Sequence, residues 1–476
     1  MAALIKFLFE LIEGILGGIL DAGGDFILAL CTPKRKTELD ASFMENPSEL
    51  VRENNRGYTA NGSLFLSIEN SMKNQISYGG SGAGKTSNIL IPQVLHSLGH
   101  ASMVVNDPSG EIAKIVIPIA QQPQYHYRCM VLNYEQFDIS CQYNPLARIK
   151  TVGDAQKVAK MFLAGYENKS SDPFWHTSAA NILSICFRLL VFHSPKELCT
   201  VQNALQILEE MSCGDKVDRL FVKVKNDEPL VSAYRSFIAN DRKLANSILQ
   251  TAKSALTLFQ VESIVQVTAA DDLDFSSFRR EKTILFINNN IANTGHYASL
   301  TGILLTQFFN ELMAELPPEG SYPIFFNIDE SSSVVYDALP IVAANCRKYR
   351  FSLALFYQSY HQLVGQLSAT NAKAVEANMW TRILLPGTPV DIASAVQNEL
   401  GVFEFEENGV RRTRPLMTAS EIKECKDALV FCGANRAMRL PLHPYYRSKL
   451  RKMLSTTPYV PERRIVTGMP PLIQFT

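Results

Sequence analysis

The sequence lacks any Cys-x-x-Cys pair, although nine cysteines are scattered from Cys31 to Cys432. Isolated thiols exclude a disulfide framework or a thiolate zinc site, and read as small core residues in a reducing compartment. Net charge is also missing, because Lys+Arg and Asp+Glu both number 46. No global positive field is available to hold nucleic acid, so any such contact has to come from a local basic surface. There is no fixed-period repeat and no low-complexity tract. With 46% hydrophobic and 19% charged residues, global disorder, a collagen-like fibre and a polytopic transporter are excluded. The eight histidines read as surface or satisfied core residues rather than metal ligands. A length of 476 residues leaves room for two or three domains.

A clean membrane span is absent as well. Residues 3 to 31 are strongly apolar, but Glu10, Glu13, Asp21 and Asp25 interrupt them. A spanning helix needs about 20 mainly apolar residues, and each carboxylate at its centre costs about 2.5–3.5 kcal/mol. Lys6, Glu10, Glu13, Gly17 and Asp21 fall on one helical stripe, with Leu, Ile and Phe covering the rest. The pattern suits an interfacial anchor, a helix docked on a partner, or one packed on this protein's own core. It does not suit a cleaved signal peptide, whose apolar region carries no acids.

What the chain does contain is an alternation of short apolar strands with longer helical stretches. Strand candidates are Leu64–Ser67, Gln75–Tyr78, Met103–Asn106, Met130–Asn133, Thr283–Asn288, Pro323–Ile328, Leu353–Tyr357, Arg382–Leu385 and Leu429–Cys432. Such runs, bounded by Gly, Pro, Asn or Asp, predict strands buried on both faces of a mostly parallel α/β sheet. Between Val152 and about Ala270 only helical spacing remains, which predicts an inserted all-α domain. The expected organisation is an apolar segment (1–36), a nucleotide-binding domain in two parts (37–150 and 271–447) around the insertion (151–270), and a tail (448–476).

The strongest motif is Gly79-Gly80-Ser81-Gly82-Ala83-Gly84-Lys85-Thr86, a full match to G-x-x-x-x-G-K-[ST]. An apolar strand precedes it and a helix-compatible run follows. The glycines let successive N–H groups turn toward phosphate oxygens, and the helix N-terminus adds positive potential. Lys85 would meet the β- and γ-phosphates of ATP, and the Thr86 hydroxyl would enter a Mg²⁺ shell. The second element is Pro323-Ile324-Phe325-Phe326-Asn327-Ile328-Asp329-Glu330, an apolar strand ending in two carboxylates. Asp329 would hold Mg²⁺ through water, and Glu330 would polarise the water attacking the γ-phosphate. The fold class is therefore α/β, a P-loop NTPase.

With the sequence around them, these motifs resemble the type IV secretion coupling proteins, the VirD4/TraG/TraD family of RecA/FtsK-like ATPases. Asp107-Pro108-Ser109-Gly110-Glu111 resembles that family's Asp-Pro-Lys-Gly-Glu, with serine in place of lysine. Tyr143-Asn144-Pro145-Leu146 is similar to its Asn-Pro-Leu, and Asp172-Pro173-Phe174-Trp175 to the opening of its helical domain. Phe356-Tyr357-Gln358-Ser359 resembles its strand-terminal glutamine motif, and Thr413 to Arg447 its last helix and strand. The resemblance implies a homo-hexameric ring with ATP between subunits, a glutamine sensor at Gln358 and a trans-acting arginine at Arg347, with Arg350 and Arg382 as rivals. It also implies secretion-channel components as partners and relaxase-bound single-stranded DNA or protein effectors as cargo, at the cytoplasmic face of the inner membrane. A soluble FtsK/HerA-like DNA translocase and a non-hydrolysing docking platform are the alternatives.

Two features depart from the family pattern. The usual pair of membrane spans is replaced by the acid-interrupted segment 3–31, so attachment is expected to be peripheral, through a partner, or absent. Ser331-Ser332-Ser333 stands where an apolar turn is usual. Asp107 and Glu111 read either as a capping pair or as part of the nucleotide site. Phe174 and Trp175 read first as a core anchor. Arg411-Arg412-Thr413-Arg414 reads as a phosphate contact or a solvated connector.

Overall fold

The structure, a computed structural model, describes residues 40–164, 173–214, 216–454, 458–464 and 468–475. The segment 3–31 and Asp172 lie outside the described residues. The chain divides into a larger unit, Phe43–Ile392 with Lys423–Thr476, and a smaller one that includes Ala393–Ile422.

In the larger unit a two-stranded ribbon, β1 (Val51–Arg52) and β2 (Phe65–Leu66), precedes the main sheet. The sheet is built from β3 (Gln75–Tyr78), β4 (Ser102–Asn106), β5 (Arg128–Asn133), β6 (Thr283–Asn288), β7 (Ile324–Ile328), β8 (Phe351–Tyr357) and β9 (Thr381–Leu384). The smaller unit contributes β10 (Val402–Glu407) and β11 (Val410–Pro415), and the sheet is completed by β12 (Ala428–Cys432) and β13 (Met438–Leu440).

The sheet order is β13-β12-β9-β3-β8-β7-β4-β6-β5, parallel from β9 to β5 and antiparallel for the last two strands at the other edge. The mostly parallel sheet expected from the sequence is therefore present. Every residue of β3, β4, β7 and β8 is buried, as strands covered on both faces must be. Leu64–Ser67 is the exception among the strand candidates, since its β2 belongs to the two-stranded ribbon with β1.

Between β5 and β6 the chain runs through the helices Val152–Ala164, Pro173–His193, Val201–Cys213, Val217–Lys223, Glu228–Ile238, Arg242–Ala255 and Glu262–Val267. No strand occurs there among the described residues. Phe162 anchors this segment, with ring centroids 5.6 Å from both Phe187 and Phe259. Pro173–His193 is long and apolar enough to cross a membrane, but Ala179 to Leu190 are almost wholly buried against the protein, as in a core helix. Phe174, in its first turn, is 46% exposed and meets Trp175 edge-to-face. It is not the core anchor expected, because burial along this helix begins only at Ala179.

In the smaller unit, Asn408 and Gly409 turn with positive φ (53° and 75°), the geometry that matches the twist of a two-residue hairpin. The basic run 411–414 is thus a strand and not a connector. Arg412 pairs with Glu407 at 2.8 Å across the ribbon, and Arg414 with Glu421 at 2.8 Å, so the acids answer its charge.

One close approach limits the larger unit. Gly302 lies on the helix Thr294–Ala314, and a Cβ there would fall 1.6 Å from the Val335 carbonyl oxygen, just beyond the acidic pair. Gly302→Ala is expected to destabilise the protein by about 1–3 kcal/mol through backbone displacement. Urea unfolding of the two proteins tests this, and an unchanged midpoint would contradict it.

Candidate nucleotide site

The phosphate loop leaves the sheet at the end of β3, where the Gly79 N–H donates to the Tyr357 carbonyl on β8 at 3.1 Å. Gly82 and Gly84 take φ of 77° and 83°, a region that L side chains avoid. A Cβ on Gly84 would lie 2.2 Å from Asn88 Nδ2, whereas one on Gly80 or Gly82 would meet nothing within 4 Å. The outer side of the loop is therefore open. Lys85 is buried, and its Nζ donates to the Gly79 carbonyl at 2.8 Å, spanning the loop from within.

The helix that follows begins with a wide turn, in which the Ile91 N–H reaches back five residues to the Thr86 carbonyl. Pro92 has no N–H to give the Asn88 carbonyl, which accounts for the local widening. Thr86 stands half-buried at the start of that helix.

Two strands away, β7 delivers the acids. The Asp329 N–H donates to the Asn106 carbonyl at 3.3 Å, and Asn106 Nδ2 returns a bond to the Asp329 carbonyl at 2.7 Å. Burial pushes the Asp329 carboxyl up to about 7, and the Glu330 charge adds to the effect while Lys85 opposes it. Asp107, at the end of the neighbouring β4, is raised to about 6, again chiefly by burial. Its carboxylate accepts from the Ala113 N–H at 2.8 Å and the Ser109 hydroxyl at 3.2 Å. The Ala113 bond answers one free N–H in the first turn of the helix Glu111–Ala120, the capping side of the two readings of Asp107.

Glu330 adopts a left-handed φ of 45°, held by the Ser333 N–H and hydroxyl, which donate to its carbonyl at 2.9 and 2.7 Å. Gln358, just beyond β8, donates from Nε2 to Glu330 Oε2 at 3.4 Å. Because β3, β8, β7 and β4 are consecutive in the sheet, the loop 79–86, Gln358, Asp329 with Glu330, and Asp107 line up along one edge at the strands' carboxyl ends.

Arg347 is not brought to this edge. It is exposed on the turn Cys346–Tyr349 before β8, about 20 Å along the strand from Gln358. Arg350 shares that far end. Arg382 lies inside β9, over the Phe431 ring at 4.5 Å and 4.0 Å from Glu376, which is a packing role. Arg347 therefore lies too far from Glu330 and Gln358 to act on this copy's site.

Gln362 and Gln366 also converge on the site, and motif reading missed them; Ser331, noted in the sequence as part of the serine turn, joins them through its hydroxyl. The one sequence signal of the two glutamines is the spacing Gln358, Gln362, Gln366, which repeats at the helical interval of four. The donor set suits a magnesium nucleotide: the Thr86 hydroxyl and a carboxylate lacking a full counter-charge are the hard oxygens Mg²⁺ takes.

The family model for type IV secretory system conjugative DNA transfer proteins matches residues 29–430. The chain belongs to this family. The type IV secretion system-coupling protein VirD4 of Bartonella henselae is 22% identical over 329 residues, 65% of this chain. The chain matches 50% of that relative's length. The conjugative coupling protein TrwBdeltaN70 has the same fold, with a TM-score of 0.67 and 16% identity over 89% of this chain and 99% of that one. TrwB has also been solved with a non-hydrolysable ATP analogue and with ADP and Mg²⁺, each with a TM-score near 0.66 or 0.65 and 16% identity over 87% of this chain and 96% of that chain.

The raised carboxyls make a pH prediction for the metal-free protein. A carboxyl whose folded pKa exceeds its unfolded value favours the fold at low pH, and that contribution is lost as pH rises through the folded pKa. Stability in chelator should therefore fall between about pH 4 and pH 7 through Asp329. Asp329→Asn should flatten that fall, leaving the variant the more stable protein at pH 8. Equal pH slopes in thermal melts would contradict the assignment.

Proposed function

We propose that this family member is the ATP-hydrolysing coupling protein of a type IV secretion or conjugation channel. The observation that carries the reading is the buried Lys85 beside a carboxylate pair delivered from β7, with a glutamine between the two strands. TrwB in complex with an ATP analogue, and with ADP and Mg²⁺, supports the choice of ATP and Mg²⁺. Bound Mg²⁺ would neutralise phosphate charge as the γ-phosphoryl group departs.

The chain's own residues divide the rest of the work. The N–H groups of Gly79 to Thr86 cradle the phosphates, and Lys85 leaves the Gly79 carbonyl to meet the β- and γ-oxygens. Thr86 and Asp329 would hold the Mg²⁺, Asp329 through water. Glu330 takes the proton of the attacking water, and Gln358 keeps that carboxylate and the water in register. Arg347 supplies a cation to the site of a neighbouring copy in a hexameric ring. The two parts of the nucleotide-binding domain, 37–150 and 271–447, carry the all-α insertion 151–270.

The work done is delivery of relaxase-bound single-stranded DNA or a protein effector to channel components. It takes place at the cytoplasmic face of the inner membrane, with attachment peripheral or through a partner. Steady-state ATP turnover tests the reading. Lys85→Ala should lower it by about two orders of magnitude or more with the melting temperature preserved. Glu330→Gln should bind nucleotide without turning it over. Unchanged turnover in either variant would refute the assignment. For a DNA cargo, single-stranded DNA should stimulate turnover, and the stimulation should fade steeply with added salt.

A further inference from the structure

We propose that Gln366 is a positioning residue that sets the distance between Glu330 and Gln358. The proposal rests on the reading of this site as an ATPase.

Gln366 lies on the helix Tyr360–Leu367, directly after β8. Its Nε2 donates to the Ser331 carbonyl at 2.9 Å and to the Val334 carbonyl at 2.5 Å. Its Oε1 accepts from the Tyr357 hydroxyl at 2.7 Å. Both N–H groups and the carbonyl are therefore engaged, and the opposite amide orientation would face an oxygen toward two carbonyls. Ser331 follows Glu330 in the chain, and Tyr357 precedes Gln358. One side chain thus ties the residue next to the acid to the residue next to the glutamine, and those two side chains meet at 3.4 Å.

The surroundings make this tie matter. Glu330 holds a left-handed φ without being glycine, a strained conformation that persists only where neighbours over-determine it. Several bonds do so here. The buried Ser331 hydroxyl donates to the Ile328 carbonyl at 2.7 Å and accepts the Phe356 N–H at 3.1 Å. Gln366 closes the other side of the same turn. One helical turn earlier, Gln362 Oε1 accepts the Gln358 N–H at 2.8 Å, so one face of this helix holds both partners. Ser331 and Ser333 fasten this turn through their hydroxyls. Without Gln366 the buried Val334 carbonyl loses its donor and the Ser331 carbonyl keeps only the Val334 N–H, so Glu330 can relax toward negative φ, carrying its carboxylate away from Gln358.

The test uses the full chain, with Gln366→Met to remove all three bonds at similar length and Tyr357→Phe as a milder change that removes one. For each, kcat and KM for ATP, the Kd of a non-hydrolysable ATP analogue and the melting temperature are measured. In Gln366→Met, kcat should fall by about tenfold or more while KM and Kd stay within about twofold. Tyr357→Phe should fall between this variant and the wild type. A kcat unchanged in both variants overturns the proposal. So does a loss of analogue affinity in parallel with kcat, which would mark a merely structural role. An inactive wild type overturns the ATPase reading itself, and that outcome is distinguishable because the parent protein is assayed beside the variants.

Discussion

A carboxylate partly buried at the end of a strand is unfavourable unless cations or donors answer it, and Asp329 is such a group. Glu330 and Asp107 add negative charge around it, and Lys85 is the cation that opposes them. The site is therefore electrostatically incomplete, and a divalent cation with a phosphate chain completes it in both charge and donor type. The rest of the structure serves this arrangement. The parallel sheet buries β7 on both faces, so its carboxyl end carries the acids out of an apolar interior, and Gly302 lets a helix close against the turn that follows.

The same sheet sets the order of the parts. The loop after β3 and the acids after β7 are separated by β8 alone, a gap of about 10 Å at ordinary strand spacing. The residue that leaves β8 therefore stands between them, and that residue is Gln358. Its Nε2 reaches Glu330 Oε2 at 3.4 Å, so one side chain links the end of β8 to the acids. Gln366 and Gln362 follow on the next helix and fasten the two flanks. This is a rigid support of the kind that differential stabilisation of a transition state requires, since small displacements of a catalytic group have large effects on rate.

Legibility in the sequence followed the range of the forces involved. Strands such as Ile324–Ile328 and Phe351–Tyr357 were readable because burial on both faces leaves an unbroken apolar run. The phosphate loop was readable because its geometry demands glycines at fixed local positions. The hairpin β10–β11 was not readable: the pairing of Glu407 with Arg412 exists only in the register, and in sequence the basic run looks solvated. The exposure of Phe174 was likewise set by the helix's neighbours and not by its composition. Gln366 is a tertiary partner of residues on two other elements, so spacing alone hinted at it without naming its targets. Arg347 acts, in this account, on a second copy of the chain, and no property of one copy locates it there.

The central claim is that Lys85, Thr86 and Asp329 form one magnesium-nucleotide site. A crystal structure of this chain with a non-hydrolysable ATP analogue and Mg²⁺ tests it most directly. The Lys85 ammonium is expected on the β- and γ-phosphate oxygens, no longer on the Gly79 carbonyl. The metal is expected between the Thr86 hydroxyl and the Asp329 side of the site. Lys85 still bonded to Gly79, with nucleotide bound elsewhere or not at all, would contradict it.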